Sequence, residues 1–220
     1  MNIDTAIETC SICLSLNGEC TGLLQNPAQK EAAAWIQPSI KILLEENGVS
    51  LHQLAAIAVS NGPGSYTGLR VGMATAKGLC FVLNIPLIAI STLKMMVIAA
   101  LDEEADLFCP MIDARRMEVF TAIYDRALTE VVPAQASILT PDTFTNFIKH
   151  NRIIFFGNGS VKFQKLLQHP NALFTPKAPN AKHLAPLSYE SLKLKSLADI
   201  AYCEPDYGKD FFSFPAKSLL

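Results

Sequence analysis

SNGPGSYTGLRVGMATAKGLCFVLNIPLIAIS, residues Ser60 to Ser91, is the stretch that decides the fold. It is entered from Ala55 to Ser60, a short apolar run with Ile57 and Val59 that stops at Asn61-Gly62-Pro63-Gly64. An apolar run closed by turn residues reads as a buried strand. Ser65 or Thr67 can then cap a helix, because a hydroxyl there accepts a bond from an orphan amide of the first turn. Leu69, Met73, Ala76, Cys80 and Leu83 follow at helical spacing, and Asn84 and Pro86 stop the helix. Leu87 to Ile90 supplies the next buried strand. A strand–turn–helix–strand unit of this kind implies parallel strands joined by a right-handed crossover.

The glycines of the turn admit two readings. A helix N-terminus with free amides attracts anions, so Gly62 and Gly64 are candidate phosphate contacts. Gly62, Gly64 and Gly68 are spaced G-x-G-x-x-x-G, however, which is not the dinucleotide fingerprint, and no Walker-type Lys-Ser/Thr follows. A tight turn with close packing explains the same residues. Gly68, Gly72 and Ala76 recur every four residues and make one flank of the helix smooth. Such a flank lets another helix approach closely, from the same chain or from a partner.

The chain has 220 residues, enough for one large domain or two small ones. Half of it is hydrophobic and 17% is charged, so it can bury a core and is not disordered. The positive mean hydropathy suggests apolar surface left for oligomeric contacts. A formal net charge of −2 without a basic stripe argues against holding RNA unaided. The start, Met1-Asn2-Ile3-Asp4, lacks the basic and apolar regions of a signal peptide, and no apolar run is long enough to span a bilayer. The expected address is cytoplasmic, with no membrane contact. Cys10 and Cys13 form a C-x-x-C, but in an alternating run, where an offset of three puts them on opposite faces of a strand. The six cysteines are read as reduced and buried.

Along the chain, Ile3 to Leu16 and Cys20 to Leu24 flank Asn17-Gly18, a strong hairpin signal. An amphipathic helix is expected from about Lys30 to Asn47, with Ile36, Ile40, Leu43 and Leu44 inward and Gly48 as its stop; Pro38 lies inside it. Thr92 can cap a helix from Leu93 to about Leu101. Leu107 to Ile112 and Met117 to Tyr124 read as strands around Asp113-Ala114-Arg115-Arg116, with a third near Val131 and Val132. The tip is either a surface ion pair or, through the adjacent arginines, an RNA or nucleotide contact. Thr140-Pro141 opens a helix to about His150. Arg152 to Phe156 is a strand running into Gly157-Asn158-Gly159-Ser160, and Val161 to Gln168 is a helix. Residues 170–179 read as a proline-spaced connection, Ala181 to about Ala201 as helix, and Tyr202 to Phe214 as irregular tail packed on the body. The four histidines, His52, His150, His169 and His183, are isolated, and no catalytic set can be assembled.

Four blocks together carry a resemblance: GPGSYTGLRVGMATAKGL with IPLIAIST, NIDTAIETCSICLSLNG, PMIDARRMEVFTAIYD and EPDYGKDF. They resemble the TsaB (YeaZ) family, a subunit of the bacterial machinery that makes N6-threonylcarbamoyladenosine beside the anticodon of tRNA. The resemblance implies the actin-like ATPase and sugar-kinase superfamily, hence α/β architecture with two tandem actin-like (RNase H-like) domains, mixed sheets flanked by helices. The split is expected near Glu104, giving domains 1–104 and 105–220. In that superfamily Asp4-Thr5 resembles the first phosphate-contacting motif, and Gly157 and Gly159 stand where an adenosine motif is kept; with Gly62 and Gly64 these are weak nucleotide candidates. Related sequences often open the first helix with histidine-serine, where this chain has Lys30-Glu31, and Gly208 stands where relatives usually carry leucine.

The resemblance also implies what is missing. The catalytic sister family, TsaD, carries N-H-x-x-x-H just after the strand matching Leu87–Ile90, and those histidines bind its metal. Here the segment is Ser91-Thr92-Leu93-Lys94-Met95-Met96, with Thr92 and Met96 at the ligand positions. A hydroxyl and a thioether do not replace two imidazoles on a divalent ion. The expectation is therefore a non-catalytic scaffold without metal or cofactor. It would pair with a TsaD-type catalytic subunit and a TsaE-type ATPase, form a homodimer in isolation, and meet tRNA only through the complex. The partner face is expected on the first two helices, through Trp35, Gly68, Arg70, Gly72, Met73 and Ala76. The alternative is a small actin-like phosphotransferase that binds ATP.

Overall fold

The computed structural model describes residues 1–28 and 31–209. The first half of the chain builds one five-stranded sheet from β1 (Asn2–Asp4), β2 (Cys10–Leu16), β3 (Glu19–Asn26), β4 (Ile57–Gly62) and β5 (Leu87–Ser91), in the order β3-β2-β1-β4-β5. The second half builds another from β6 (Leu107–Asp113), β7 (Glu118–Asp125), β8 (Glu130–Ile138), β9 (Ile153–Phe156) and β10 (Ala172–Phe174), in the order β10-β9-β6-β7-β8. The second order is the first one repeated: an antiparallel three-strand meander, then two strands added parallel to its first member. Two tandem α/β units with mixed sheets result.

Helices α1 (Ala32–Glu46) and α2 (Tyr66–Leu83) cover one face of the first sheet. The inward stripe of α1 is Ile36, Ile40, Leu43 and Leu44, and Pro38 sits exposed inside the helix. Gly48 turns the chain at φ +63°, after which the Val49 amide closes on the Leu44 carbonyl at 2.9 Å. For α2, Ser65 is the N-cap, accepting from the Gly68 amide at 3.3 Å, and Asn84 ends the helix in the left-handed region. Lys30, the expected start of the first helix, and Asp210 to Phe214 of the expected tail lie outside the described residues.

Between the sheets runs α3 (Thr92–Ile98), whose Leu93, Met95, Met96 and Val97 join Ala58, Ile88 and Ile90 of the first sheet to Phe108, Ile112, Tyr124 and Phe156 of the second. This shared core fixes one sheet against the other. A division of the chain at Glu104 puts one sheet on each side, but the chain does not stay there. A single 3-10 turn at Ala181–His183 and α6 (Leu184–Lys193) return to the first sheet. Ser188 Oγ donates to Asn2 Oδ1 at 2.7 Å, the Ala181 amide donates to Ser11 Oγ at 2.8 Å, and the Ala198 amide donates to the Leu87 carbonyl at 2.9 Å.

Several expectations need correction. Ile3 to Leu16 is two antiparallel strands, broken where Thr5 and Ala6 bend toward α2. The α3 cap is Ser91, which accepts from the Lys94 amide; Thr92 is already helical. The helix after Thr140-Pro141 shrinks to α4 (Thr145–Ile148), because Phe144 takes φ +64° and breaks the run. The helix expected to reach Gln168 is α5 (Ser160–Gln164), and α6 stops at Lys193, before Lys195 at φ +56°. Strand β10 lies inside the stretch read as a bare connection.

Candidate functional site: the inter-sheet cleft and the outer helical face

Strands β1, β4, β6 and β9 end at one cleft of about 460 Å³. Ala6, Glu8 and the Gly64–Thr67 turn line it from the first unit, and Asp113, Arg115, Phe120 and Asn158 from the second. Residues far apart in sequence meet here. Asn158 Nδ2 donates to Glu8 Oε1 at 3.0 Å, and Asn158 Oδ1 accepts from the Asp113 amide at 2.7 Å. Lys162 Nζ reaches Asp113 Oδ1 at 2.7 Å and the carbonyls of Arg116 and Glu118 at 2.9 and 2.6 Å. The tip read as Asp-Ala-Arg-Arg is thus held by a lysine from α5. Arg115 and Arg116 both adopt positive φ, +71° and +50°, and both are exposed.

The candidate glycines are spent on packing within the chain. Gly62 sits at φ +127°, and a Cβ there would collide with the Asp206 carbonyl oxygen. A Cβ on Gly64 would meet the Ala6 carbonyl, which already accepts from the Ser65 amide at 2.7 Å. Gly157, at φ +88°, leaves room for the Met111 carbonyl and the Met96 methyl, which a Cβ would approach to 2.5 and 2.6 Å. The Gly159 amide donates to the Met111 carbonyl at 3.0 Å, and a Cβ there would lie 2.8 Å from Val119 Cγ1.

Asp4, at the end of β1 and two residues before Ala6 of the cleft, is completely buried. Its Oδ1 accepts from Ser60 Oγ at 2.6 Å and from the Ala6 amide at 3.1 Å, whereas Oδ2 has no hydrogen-bond partner among the described residues. Burial pushes the carboxyl up to about 6, against those two hydrogen bonds, which lower it. Thr92 and Met96 are also buried, Met96 in the inter-sheet core. Thr92 Oγ1 accepts from the Gly62 amide at 3.1 Å, and the Met96 methyl fills the space that Gly157 leaves. Both side chains are therefore committed to joining the two glycine turns. Among the described residues no group of three or more His, Cys, Asp or Glu is placed to hold a metal ion.

The second candidate region is the surface of α1 and α2, and here the structure corrects the reading of the small-residue flank. Gly68, Gly72, Met73 and Ala76 are buried within the chain. A Cβ on Gly68 would collide with the Thr5 carbonyl and one on Gly72 with Thr5 Oγ1, which donates to the Gly68 carbonyl at 2.7 Å. At Gly68 and Gly72 the smooth flank admits Thr5 of the chain's own β1–β2 loop, and none of the four residues lies on the exposed surface of the chain. Arg70 faces outward; its Nε donates to Tyr207 Oη at 3.0 Å while its guanidinium lies 4.5 Å from the centre of the Tyr66 ring. Trp35 is half-buried against the first core. The exposed apolar residues are others: Phe81 and Val82, each 79% exposed on α2, and Ile42 at 45% on α1. Pro38 and Ala74 are exposed on the same two helices. The sequence held a signal for Phe81 and Val82, since they fall out of phase with the stripe Leu69, Met73, Ala76 and Cys80.

Two duplicated α/β units, a glycine turn at the helix entry of each and a cleft between them define a two-domain protein of the actin-like class. A family model described as TsaD, tRNA N6-adenosine threonylcarbamoyltransferase, matches residues 17–211. The chain is 30% identical over 216 residues to the tRNA threonylcarbamoyladenosine biosynthesis protein TsaB of Bacillus subtilis, covering 93% of this chain and 91% of that one. It is 28% identical over 216 residues to the TsaB of Haemophilus influenzae, with 89% and 90% covered. Against a tRNA N6-adenosine threonylcarbamoyltransferase of Nitratidesulfovibrio vulgaris the match is 40% over 79 residues, only 22% of that protein. A solved Pseudomonas aeruginosa protein described as similar to peptidase YeaZ superposes with a TM-score of 0.81 at 26% identity, covering 94% of this chain and 98% of that one. A structure described as YeaZ from the same organism gives 0.77 at 25%, covering 94% and 97%. The chain belongs to the TsaB (YeaZ) family.

Proposed function

We propose that the chain is a non-catalytic partner subunit in the formation of N6-threonylcarbamoyladenosine in tRNA. It works with a TsaD-type catalytic subunit and a TsaE-type ATPase, meets tRNA only in their company, and pairs with itself when alone. The observation that carries this reading is the state of Thr92 and Met96. Where a transferase of this superfamily would need two imidazoles, a buried hydroxyl and a buried thioether tie the Gly62 turn to the Gly157 turn. Neither can supply a Lewis acid with the nitrogen ligands such chemistry uses. The nucleotide candidates Asp4, Gly62, Gly64, Gly157 and Gly159 support the same reading, because close packing against the chain accounts for each glycine. No helix among the described residues is long and apolar enough to cross a membrane, which fits a cytoplasmic place of work.

Contact with the partner is assigned to the outer face of α1 and α2, through Arg70 and the edge of Trp35 together with Phe81, Val82 and Ile42. Large exposed apolar side chains gathered on adjacent helices are what a partner interface requires. Reconstitution tests the whole: tRNA modification by a TsaD-type subunit and a TsaE-type ATPase should require this chain, and the chain alone should give no product. Product from the chain alone would refute the reading. The alternative, an ATP-dependent phosphotransferase, is favoured by the meeting of both glycine turns at one cleft. Calorimetric titration with ATP and magnesium separates the two, since tight stoichiometric binding by the isolated chain supports only the alternative.

A further inference from the structure

A second cavity, of about 450 Å³, lies at the opposite end of the first sheet from the cleft. Its floor is Met1, Leu14, Ala56, Ala58 and Ile88, where the parallel strands begin. One wall is the hairpin from Ser15 to Gly18, another the Val49 and Gln53–Ala55 segment, and the third is α6 through Ser188, Tyr189 and Leu192. Small side chains make the space. Its volume falls in the range of small-molecule sites, roughly 300–1,000 Å³. None of the lining side chains is an acid, a lysine, an arginine or a histidine, and burial lowers the Met1 amino group on the floor to about 6, so above that pH a phosphate or carboxylate entering here would lose its hydration without gaining a full countercharge.

The polar groups of the wall are already ordered. Asn2, 1% exposed, donates from Nδ2 to Ser15 Oγ at 2.9 Å and accepts at Oδ1 from Ser188 Oγ at 2.7 Å. The Met1 amino group donates to the Ala56 carbonyl at 2.9 Å, and Asn47 Nδ2 to the Leu43 carbonyl at 2.7 Å. Because Ser15 accepts from Asn2, its own hydroxyl proton is directed away from Asn2. A serine hydroxyl carries one donor and two acceptor sites, so Ser15 presents a donor fixed in place by a buried amide.

We propose that this cavity is a binding site for a small uncharged molecule with an apolar body and one hydrogen-bond acceptor, the acceptor meeting Ser15 and the body lying between the hairpin and α6. The site is separate from the inter-sheet cleft and from the outer face of α1 and α2, and it stands whether or not the chain acts in tRNA modification. Occupancy would fasten α6, the segment that returns from the second half of the chain, onto the first sheet.

Acetanilide, a benzene ring bearing a neutral amide, is the probe, with benzoate and inorganic phosphate as charged counterparts. Saturation-transfer NMR titrations at about pH 8, where the Met1 amino group is largely uncharged, use the full chain and two variants. Ala55→Phe fills the mouth from an exposed rim position, and Ser15→Ala removes the donor. Saturable acetanilide binding is expected, weakened about tenfold or more by Ala55→Phe and about three- to tenfold by Ser15→Ala, with benzoate at least about tenfold weaker. Four results would overturn the proposal: no saturable binding by a chain that melts normally, equal binding of benzoate or phosphate, binding indifferent to both variants, or a sedimentation change in Ala55→Phe. The last would give the cavity to a second copy of the chain.

Discussion

Asp4→Asn tests the electrostatics of the buried end of β1. Asp4 is completely buried with one carboxylate oxygen unpartnered among the described residues, and its carboxyl is moved from 3.8 to about 6, chiefly by burial. At about 1.4 kcal/mol per pH unit, holding it ionised costs the folded state roughly 3 kcal/mol. The sign follows from proton counting. Between pH 3.8 and about 6 the folded chain keeps a proton that the unfolded chain has released, so this residue's contribution is fully present below pH 3.8, is lost as pH rises through about 6, and is level above. Asparagine keeps the acceptor for Ser60 Oγ and the Ala6 amide but cannot ionise. It does place an amide nitrogen where Oδ2 found no partner, at a cost of about 1–3 kcal/mol that does not depend on pH. The stability difference, wild type minus Asp4→Asn, should therefore fall by about 3 kcal/mol between pH 3 and pH 7.5. As a melting temperature that is roughly 6–12 °C for a chain of this size. Urea unfolding of both proteins across this range measures it, and the difference removes contributions from the other titrating groups. Parallel curves would mean that Asp4 has an ordinary carboxyl and that the burial argument is wrong.

Gly72→Leu should destabilise the fold by about 1–3 kcal/mol or more by overpacking, since even its Cβ collides with Thr5 Oγ1; a normal melt with altered sedimentation would restore the glycine flank as a partner surface. Phe81→Glu with Val82→Glu, at side chains 79% exposed, should change stability by no more than about 0.5 kcal/mol while abolishing self-association and binding of a TsaD-type subunit in sedimentation. Retained association would remove the outer face from the proposal. Thr92→Val should cost about 1–3 kcal/mol in chemical denaturation by orphaning the Gly62 amide, and an unchanged midpoint would show that the turn does not depend on that bond.

The architecture was legible because its signals are local. Ile57 and Val59, the glycine turn, the α2 stripe and the Asn84 stop act within a few residues of one another, and Asn17-Gly18 specifies its hairpin through its own positive φ angles, +54° and +86°. What failed was set by distant neighbours. The small residues at 68, 72 and 76 promise a close approach, but nothing near them says that Thr5 makes it at Gly68 and Gly72. Strand β10 exists because Ile153–Phe155 offers a ladder to a three-residue run among prolines. The tie from Asn158 to Glu8 spans 150 residues, and Asn158 read locally is only a turn residue. The exposed Phe81 and Val82 were present in the periodicity but carried no label as surface.

The ties between the two halves of the chain bear on how the proposed partner subunit would act. Opening two units about a cleft requires that few contacts cross it. Here Asn158 holds Glu8, the Asp206 amide holds the Asn61 carbonyl at 2.7 Å, Lys209 pairs with Glu118, and Lys177 from the segment after β10 reaches Asp102 and Glu103 just past α3, both at 2.8 Å. Exposed ion pairs contribute little singly. They flank, however, an apolar core in which α3 packs against both sheets, and separating the sheets would uncover Phe108, Phe156 and Leu93 together, at about 1.5–3 kcal/mol for each such side chain. A hinge with that penalty stays closed on the scale of thermal energy. The helices α1 and α2 are then carried on a rigid base, and an interface on a rigid base loses less entropy on binding than one that must first be ordered.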